Sequence, residues 1–332
     1  MCKKNQVASS SLRPLSLYIN KTIPSRIKII NKFNIIASAI TLGLYATSDN
    51  ASAACAPAPA DGVTTICDTS SVQTNTLGIG PGLNNVTINV EPNARIDTGE
   101  SSAISLDSNS SITLQENAVV QNASHAPEYA GFWGRGENTI EFNDNTTLTV
   151  ESGALIQAQG DEYRFNNGAV HIIGAGNTLI NHGMILSAGG PTIRFENNVG
   201  DNTIDNYGTI AMRAVFKIVI DSALTDGDVF LTNRTGGRIM GEIILGAGND
   251  NITLEPGSVI DGDDIDGGGG MNSLILESSV DPSSTADILP SNISNFQTLI
   301  KNGAGEWLLS GQLAPTIANV TVNDGTLALA GK

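Results

Sequence analysis

A recurring phrase limits what this chain can fold into more than any other feature of it. An alternating strand runs into a turn, then a small residue, then a second apolar start. The copies are Val86 to Ile96, Ser111 to Val120, Thr147 to Ile156 and Asn251 to Ile260. In register, Val90, Leu114, Val150 and Leu254 end the strand. Asn93, Asn117, Gly153 and Gly257 take the turn, where Gly and Asn tolerate positive φ. Ala94, Ala118, Ala154 and Ser258 follow, and Ile96, Val120, Ile156 and Ile260 point inward again. A second phrase, Asn177 to Ile185, returns 25 residues later as Asn202 to Ile210, with Phe230 to Ile239 as a looser third copy. Each reads as a strand, an Asn-x-Gly turn and another short strand.

Short strands with period-two alternation, broken by Gly and Asn, predict an all-β chain. A β-sandwich satisfies that pattern too. Recurrence of one phrase at roughly 20–35-residue intervals favours a β-solenoid, in which each coil buries its inner face only by stacking on its neighbours. Aromatic residues are 5% of the chain, so the core must come from stacked Ile, Leu and Val. Asn at equivalent turns is expected to form side-chain ladders along the stack.

The first 53 residues read differently. They hold Lys3, Lys4, Arg13, Lys21, Arg26, Lys28 and Lys32 against one acid, Asp49, then an apolar stretch from Phe33 to Ala46, then Ala51-Ser52-Ala53. A basic region, an apolar region and an A-x-A site predict a signal peptide cut between Ala53 and Ala54. The apolar stretch is short for a membrane anchor. A lipoprotein signal ending at Cys55 would need a bulky aliphatic residue where Ser52 stands. With the leader goes Cys2, leaving Cys55 and Cys67, an even pair in an oxidising compartment, which predicts a disulfide. The net charge of −16 is more negative still once the basic leader is set aside. That argues against nucleic acid or an anionic membrane as a partner.

The C-terminal residues carry a family resemblance. Asn295 to Gly311 and Val320 to Gly331 contain Lys301, Gly303, Gly305, Trp307, Leu309, Ser310, Gly311, Gly325, Thr326 and Leu327 at the spacing of a Lys, Gly-x-Gly, Trp strand, Ser-Gly and a Gly-Thr-Leu strand. This resembles the passenger-associated repeat of autotransporters. The usual aromatic-rich loop is replaced by Gln312 to Asn319. The long basic leader and the Cys55–Cys67 opening are similar to those of large autotransporters. The resemblance implies a right-handed parallel β-helix, divided here into a signal peptide (1–53), a disulfide-stapled cap (54–80), a solenoid passenger (81–294) and a passenger-associated repeat (295–332). It implies a surface, outer-membrane or secreted adhesin or stalk, with a host-cell or bacterial surface ligand as partner. Lys332 follows a single repeat without the many alternating strands of an outer-membrane barrel, so the chain is expected to be a truncated or split product, functional or not, or a passenger secreted by separate means.

Three chemistries compete with that expectation. Gly246 to Ile252 approximates a calcium β-roll repeat, and Gly267 to Leu274 does so again with Asn272 in place of Asp. Calcium takes several carboxylate and carbonyl oxygens, which makes Asp250, Asp261, Asp263, Asp264 and Asp266 candidate ligands; solvated turn acids are the plainer alternative. Polysaccharide cleavage needs carboxylates gathered on one face, and Asp261 to Asp266 converging with Arg238 or Lys301 would supply them. Serine-protease chemistry needs a base and an orienting acid, and no Gly-Asp-Ser-Gly or Gly-x-Ser-x-Gly stretch accompanies His125, His171 and His182. No catalytic residue is assigned, and the chain is expected not to be an enzyme. Ser124 to Glu137, with Tyr129, Phe132 and Trp133, is the one atypical aromatic loop, suited to adhesion.

Overall fold

A computed structural model describes residues 54–123, 137–160, 168–196, 200–213, 218–262, 264–278, 287–289, 292–309 and 314–329. All belong to one compact unit, Asp49–Lys332. Ala53, Asp263, Gly311, the leader and the aromatic loop from Ser124 to Arg135 lie outside the described residues.

The fold is an all-β parallel solenoid of about nine turns, and among the described residues there is no helix. Each turn contributes a strand to three sheets in succession. The first sheet runs in unbroken parallel order from Thr64–Cys67 through Thr87–Val90 and Ser111–Leu114 to Asn319–Val322. The second starts at Arg95–Asp97 and ends at Val259–Ile260, and the third starts at Leu77–Gly78 and ends at Ile293–Ser294. A small fourth sheet of Asp287–Leu289, Glu306–Leu309 and Thr326–Leu329 closes the C-terminal turns. The first sheet continues past residues 80 and 294 without a break.

Alternation along each strand gives the inner faces aliphatic columns. On the first sheet Ile88, Ile112, Leu148, Leu179, Ile204 and Leu231 stack in register and are fully buried. On the second, Ile96, Val120, Ile156, Ile185, Ile210 and Ile239 do the same. On the third, the column is Ile104, Ile140, Val170, Ile193, Ile220 and Ile243. Each such side chain contributes about 1.5–3 kcal/mol by leaving water. The four-copy phrase sits in the expected register, with Asn93, Asn117, Gly153 and Gly257 all at positive φ.

The second phrase folds differently from a simple turn. Its asparagines point into the core. Asn181, Asn206 and Asn233 occupy the column that holds Val150 before them and Leu254 after them. All three are fully buried, and each amide donates to the next at 2.8 Å. Asn181 Oδ1 also accepts the Gly183 N–H at 3.1 Å, which tightens the corner. The approach is so close that a Cβ on Gly208 would lie 2.1 Å from the Gly183 carbonyl oxygen. Replacing Asn206 with alanine breaks both rungs and leaves buried amide groups unmatched. The expected loss is about 2–3 kcal/mol, read from the urea midpoint.

The N-terminal end is covered by a hairpin in which Cys55–Ala56 pairs antiparallel with Thr64–Cys67. A disulfide joins Cys55 and Cys67 across a sequence separation of 12. Closing a loop of that length stabilises by about 3 kcal/mol in the chain-entropy model. A Cys55→Ser, Cys67→Ser double variant is expected to show that loss as a lower melting temperature. Reductant should reproduce it in the parent and leave the variant unmoved.

Candidate functional site

The outer face of the third sheet carries a registered column of ionisable side chains. Strand alternation that buries Ile140, Val170, Ile193 and Ile220 turns Glu141, His171, Arg194 and Asp221 outward in one registered column, with Ser105 before them. The Ser105 hydroxyl donates to Glu141 Oε1 at 2.6 Å. His171 and Arg194 are nearly buried despite facing outward, at 8% and 7% exposure.

Asn138 and Glu196 fix the imidazole. Asn138 Oδ1 accepts the Gly168 N–H at 3.1 Å, which turns its amide nitrogen toward His171 Nδ1, also at 3.1 Å. An amide nitrogen only donates, so Nδ1 is the acceptor and the ring proton sits on Nε2. That nitrogen meets Glu196 Oε2 at 3.0 Å, and Arg194 reaches the same oxygen at 3.3 Å. The His171 hydrogen bond, helped by Arg194, holds the Glu196 carboxyl below the usual carboxylate range. One turn on, burial pushes Asp221 up, against the pull of the Ala223 N–H and Arg194. Two carboxyls on one flank are thus driven in opposite directions, the arrangement by which a site separates an acid from a base.

No protein family, curated protein or solved structure matches the chain.

Sequence reasoning did not single out this column. The signal was present in Ile140-Glu141-Phe142, Val170-His171-Ile172 and Ile193-Arg194-Phe195, three triplets with one charge between apolar residues. Each is too short for a periodicity argument.

The described candidate calcium ligands do not gather into one site. Asp250 is a buried rung at the corner leading into the first sheet, where its Oδ1 accepts the Val229 N–H at 2.7 Å. Asp261 is exposed just after the second-sheet strand Val259–Ile260. Asp266 is on the third sheet, and its Oδ1 accepts from the Gly268 N–H and the Asn295 amide at 2.9 and 2.7 Å. Burial, and then the neighbouring Asp266, raise the Asp264 carboxyl above its ordinary value. Among the described residues no group of three or more His, Cys, Asp or Glu is placed to hold a metal ion. Lys301 faces inward and uses its ammonium on other groups, and Arg238 is exposed on the second sheet.

The described residues of the C-terminal Gly-x-Gly, Trp and Gly-Thr-Leu motif lie together. Glu306–Leu309 pairs with Thr326–Leu329, which sets Trp307 opposite Leu327. Buried Trp307 donates its indole N–H to the Glu277 carbonyl at 2.9 Å. Gly303 and Gly325 both have positive φ, and the Thr326 N–H reaches the Gly305 carbonyl at 3.1 Å. A Cβ on Gly325 would lie 2.4 Å from that same oxygen. The position occupied by Glu91, Gln115, Glu151 and Glu255 in the first phrase continues as His182, Tyr207 and Arg234 in the second. There the His182 and Tyr207 rings stack at 4.4 Å, and Arg234 bridges Asp205 and Glu255.

Proposed function

We propose that the chain is an exported autotransporter-type passenger, a solenoid stalk that contacts a ligand on a host or bacterial surface and is not itself an enzyme. One observation carries the reading: the unbroken first sheet, in which a binding flank is extended by repeating one turn. Repeat architectures use such extended surfaces for recognition. The disulfide-bearing N-terminal hairpin suits an oxidising compartment, and the C-terminal motif residues cluster in one packed unit. N-terminal sequencing combined with cell fractionation tests the proposal. Mature protein starting at Ala54 outside the cytoplasm supports it. A cytoplasmic form that retains Met1 overturns it.

The third-sheet column favours a second reading, a polysaccharide-cleaving enzyme, because Glu196 and Asp221 are carboxyls of opposite tendency on one flank. Under that reading the purified protein releases reducing ends from a polymer and Asp221→Asn abolishes the release. Absence of release across neutral and acidic polymers sinks it.

A further inference from the structure

The outer face of the first sheet carries a strip almost free of charge. The strip is two registered columns, one running from Thr87 to Thr298 and the other from Asn89 to Ile300, and beside it on the same face a third column carries Glu91, Glu151, Arg234, Glu255 and Glu277. The chain carries 33 Asp and Glu, yet Asp205 is the one charged side chain in these two columns, and Arg234 neutralises it. Threonine, serine and asparagine fill most of the remaining positions, with Ile180, Ile275 and Ile300 in the second column and Phe230 in the first. Strand after strand is buried on the inner side and half-exposed on this one.

These hydroxyls are unengaged. Thr113, Thr147, Thr149, Thr178 and Thr203 make no side-chain hydrogen bond to any described residue, whereas Thr146, one position inside the corner, bonds the Ser110 N–H and the Asp144 carbonyl. β-Branched side chains on a strand are already restricted at χ1, so little entropy is lost when a ligand fixes them. The face therefore offers pre-ordered donors, acceptors and methyl groups at about 4.8 Å from turn to turn and about 6.6 Å along each strand.

We infer that this face is a docking track for an uncharged polysaccharide lying along the solenoid axis. The inference rests on the passenger reading and names the chemistry of its ligand. A strip in which hydroxyl and amide side chains recur at most turns offers similar contacts along its length, which a polymer of repeating units can use and an irregular protein surface cannot. The strip itself has no run of charge to match a polyion, and the carboxylates of the third column repel a polyanion. Sugar hydroxyls and C–H groups match hydroxyl and methyl groups directly, and many weak contacts on one chain sum by avidity. A second copy of the protein is the competing occupant. Nine turns at about 4.8 Å and two outward residues at about 6.6 Å give an area of about 570 Å² per partner. That is below the roughly 800 Å² that each side of a standard protein interface buries, and the carboxylates of the third column would meet their own copies.

The test uses the full exported protein and measures binding to immobilised β-glucan, mannan and dextran, with alginate and heparin as acidic polymers. The expected result is binding to at least one neutral polymer, unchanged between low and high salt. Thr149→Glu combined with Thr178→Glu should weaken it by about tenfold or more. Gln157→Glu, on the outer side of the second sheet, should leave it intact, and circular dichroism should be the same for all three proteins. Three results overturn the inference: no neutral polymer binds, the paired glutamates change nothing, or sedimentation shows the face consumed by self-association. Any of these with correct export leaves the passenger reading standing. Cytoplasmic retention removes that reading whatever the polymers do.

Discussion

A Lys301→Met variant is expected to lose about 3 kcal/mol from the C-terminal turns. Lys301 stands in the inner column that holds Leu254 and Leu276 in the two turns before it, and it is fully buried. Its stem fills the space an aliphatic side chain fills elsewhere. Its ammonium lies 2.9 Å from Ser278 Oγ, 2.9 Å from the Asn302 carbonyl, 2.6 Å from the Gly303 carbonyl and 3.0 Å from the Asp324 carbonyl. Three successive turns are thereby tied to one cation. Burial pulls the pKa of this amine below that of an exposed lysine, against the opposing charges of Asp324 and Glu277. Methionine matches the stem but leaves the oxygens facing an apolar group. Because each turn leans only on its neighbours, the damage should be local. Limited proteolysis should cut the variant after about residue 300 while the N-terminal turns survive. Cleavage indistinguishable from the parent would show that the ammonium holds nothing together.

The opposite sign is expected for Asp250→Asn, which should stabilise the protein at pH 7 by up to about 3 kcal/mol. Asp250 is a rung in a corner ladder in which the backbone N–H of one turn is met by a side chain of the next. Asn177, Asn202, Asn272 and Gln297 are other rungs. Asp250 Oδ1 serves Val229, but Oδ2 is buried without a partner. Burial, assisted by the nearby Asp228 and opposed by the Val229 N–H, pushes its pKa up to about 6 from 3.8. The folded state therefore holds this proton more tightly than the unfolded chain, and stability falls as pH rises from about 4 to about 6. Asparagine keeps the oxygen and replaces the orphan with a donor. In the next turn Asn272 shows that use, its amide reaching the Gly267, Gly269 and Asn295 carbonyls. Urea titrations should give a gain at pH 7 that vanishes by pH 4; an equal gain at both would remove the electrostatic explanation. Calcium that stabilises the parent but not the variant would show that the carboxylate serves a cation instead.

Both residues were visible in the sequence, but not their surroundings. Lys301 was found through a motif and Asp250 through a glycine-rich repeat. Burial decides what each does, and burial depends on which way a strand faces. The period-two pattern settles that for the long phrases, in which Ile88, Ile112 and Leu148 fall at one position. For Asn181 and Asn206 the ladder expected of asparagines at equivalent turns is there, but its burial is not legible, because an Asn-x-Gly phrase reads as an exposed turn. Only the stacking of successive turns makes a buried amide tolerable, since each rung satisfies the next. The charged column from Glu141 to Asp221 was hidden for a related reason. Its members lie one per turn, at uneven sequence separations set by the connections between sheets, so the flank exists only after the coils have stacked.

That stacking also gives the molecule a mechanical character. Almost all sheet hydrogen bonds between turns run along the solenoid axis, with the chain wound across it. Tension applied along the axis therefore meets the turns in series, and each can peel away without disturbing the next but one. A turn such as that from Asn177 to Asn202 contains 25 residues. At roughly 3.4 Å per residue it would release roughly 85 Å of slack when it detaches. Such a rod would lengthen under a pull in repeated steps and keep its remaining turns intact, paying out chain instead of snapping.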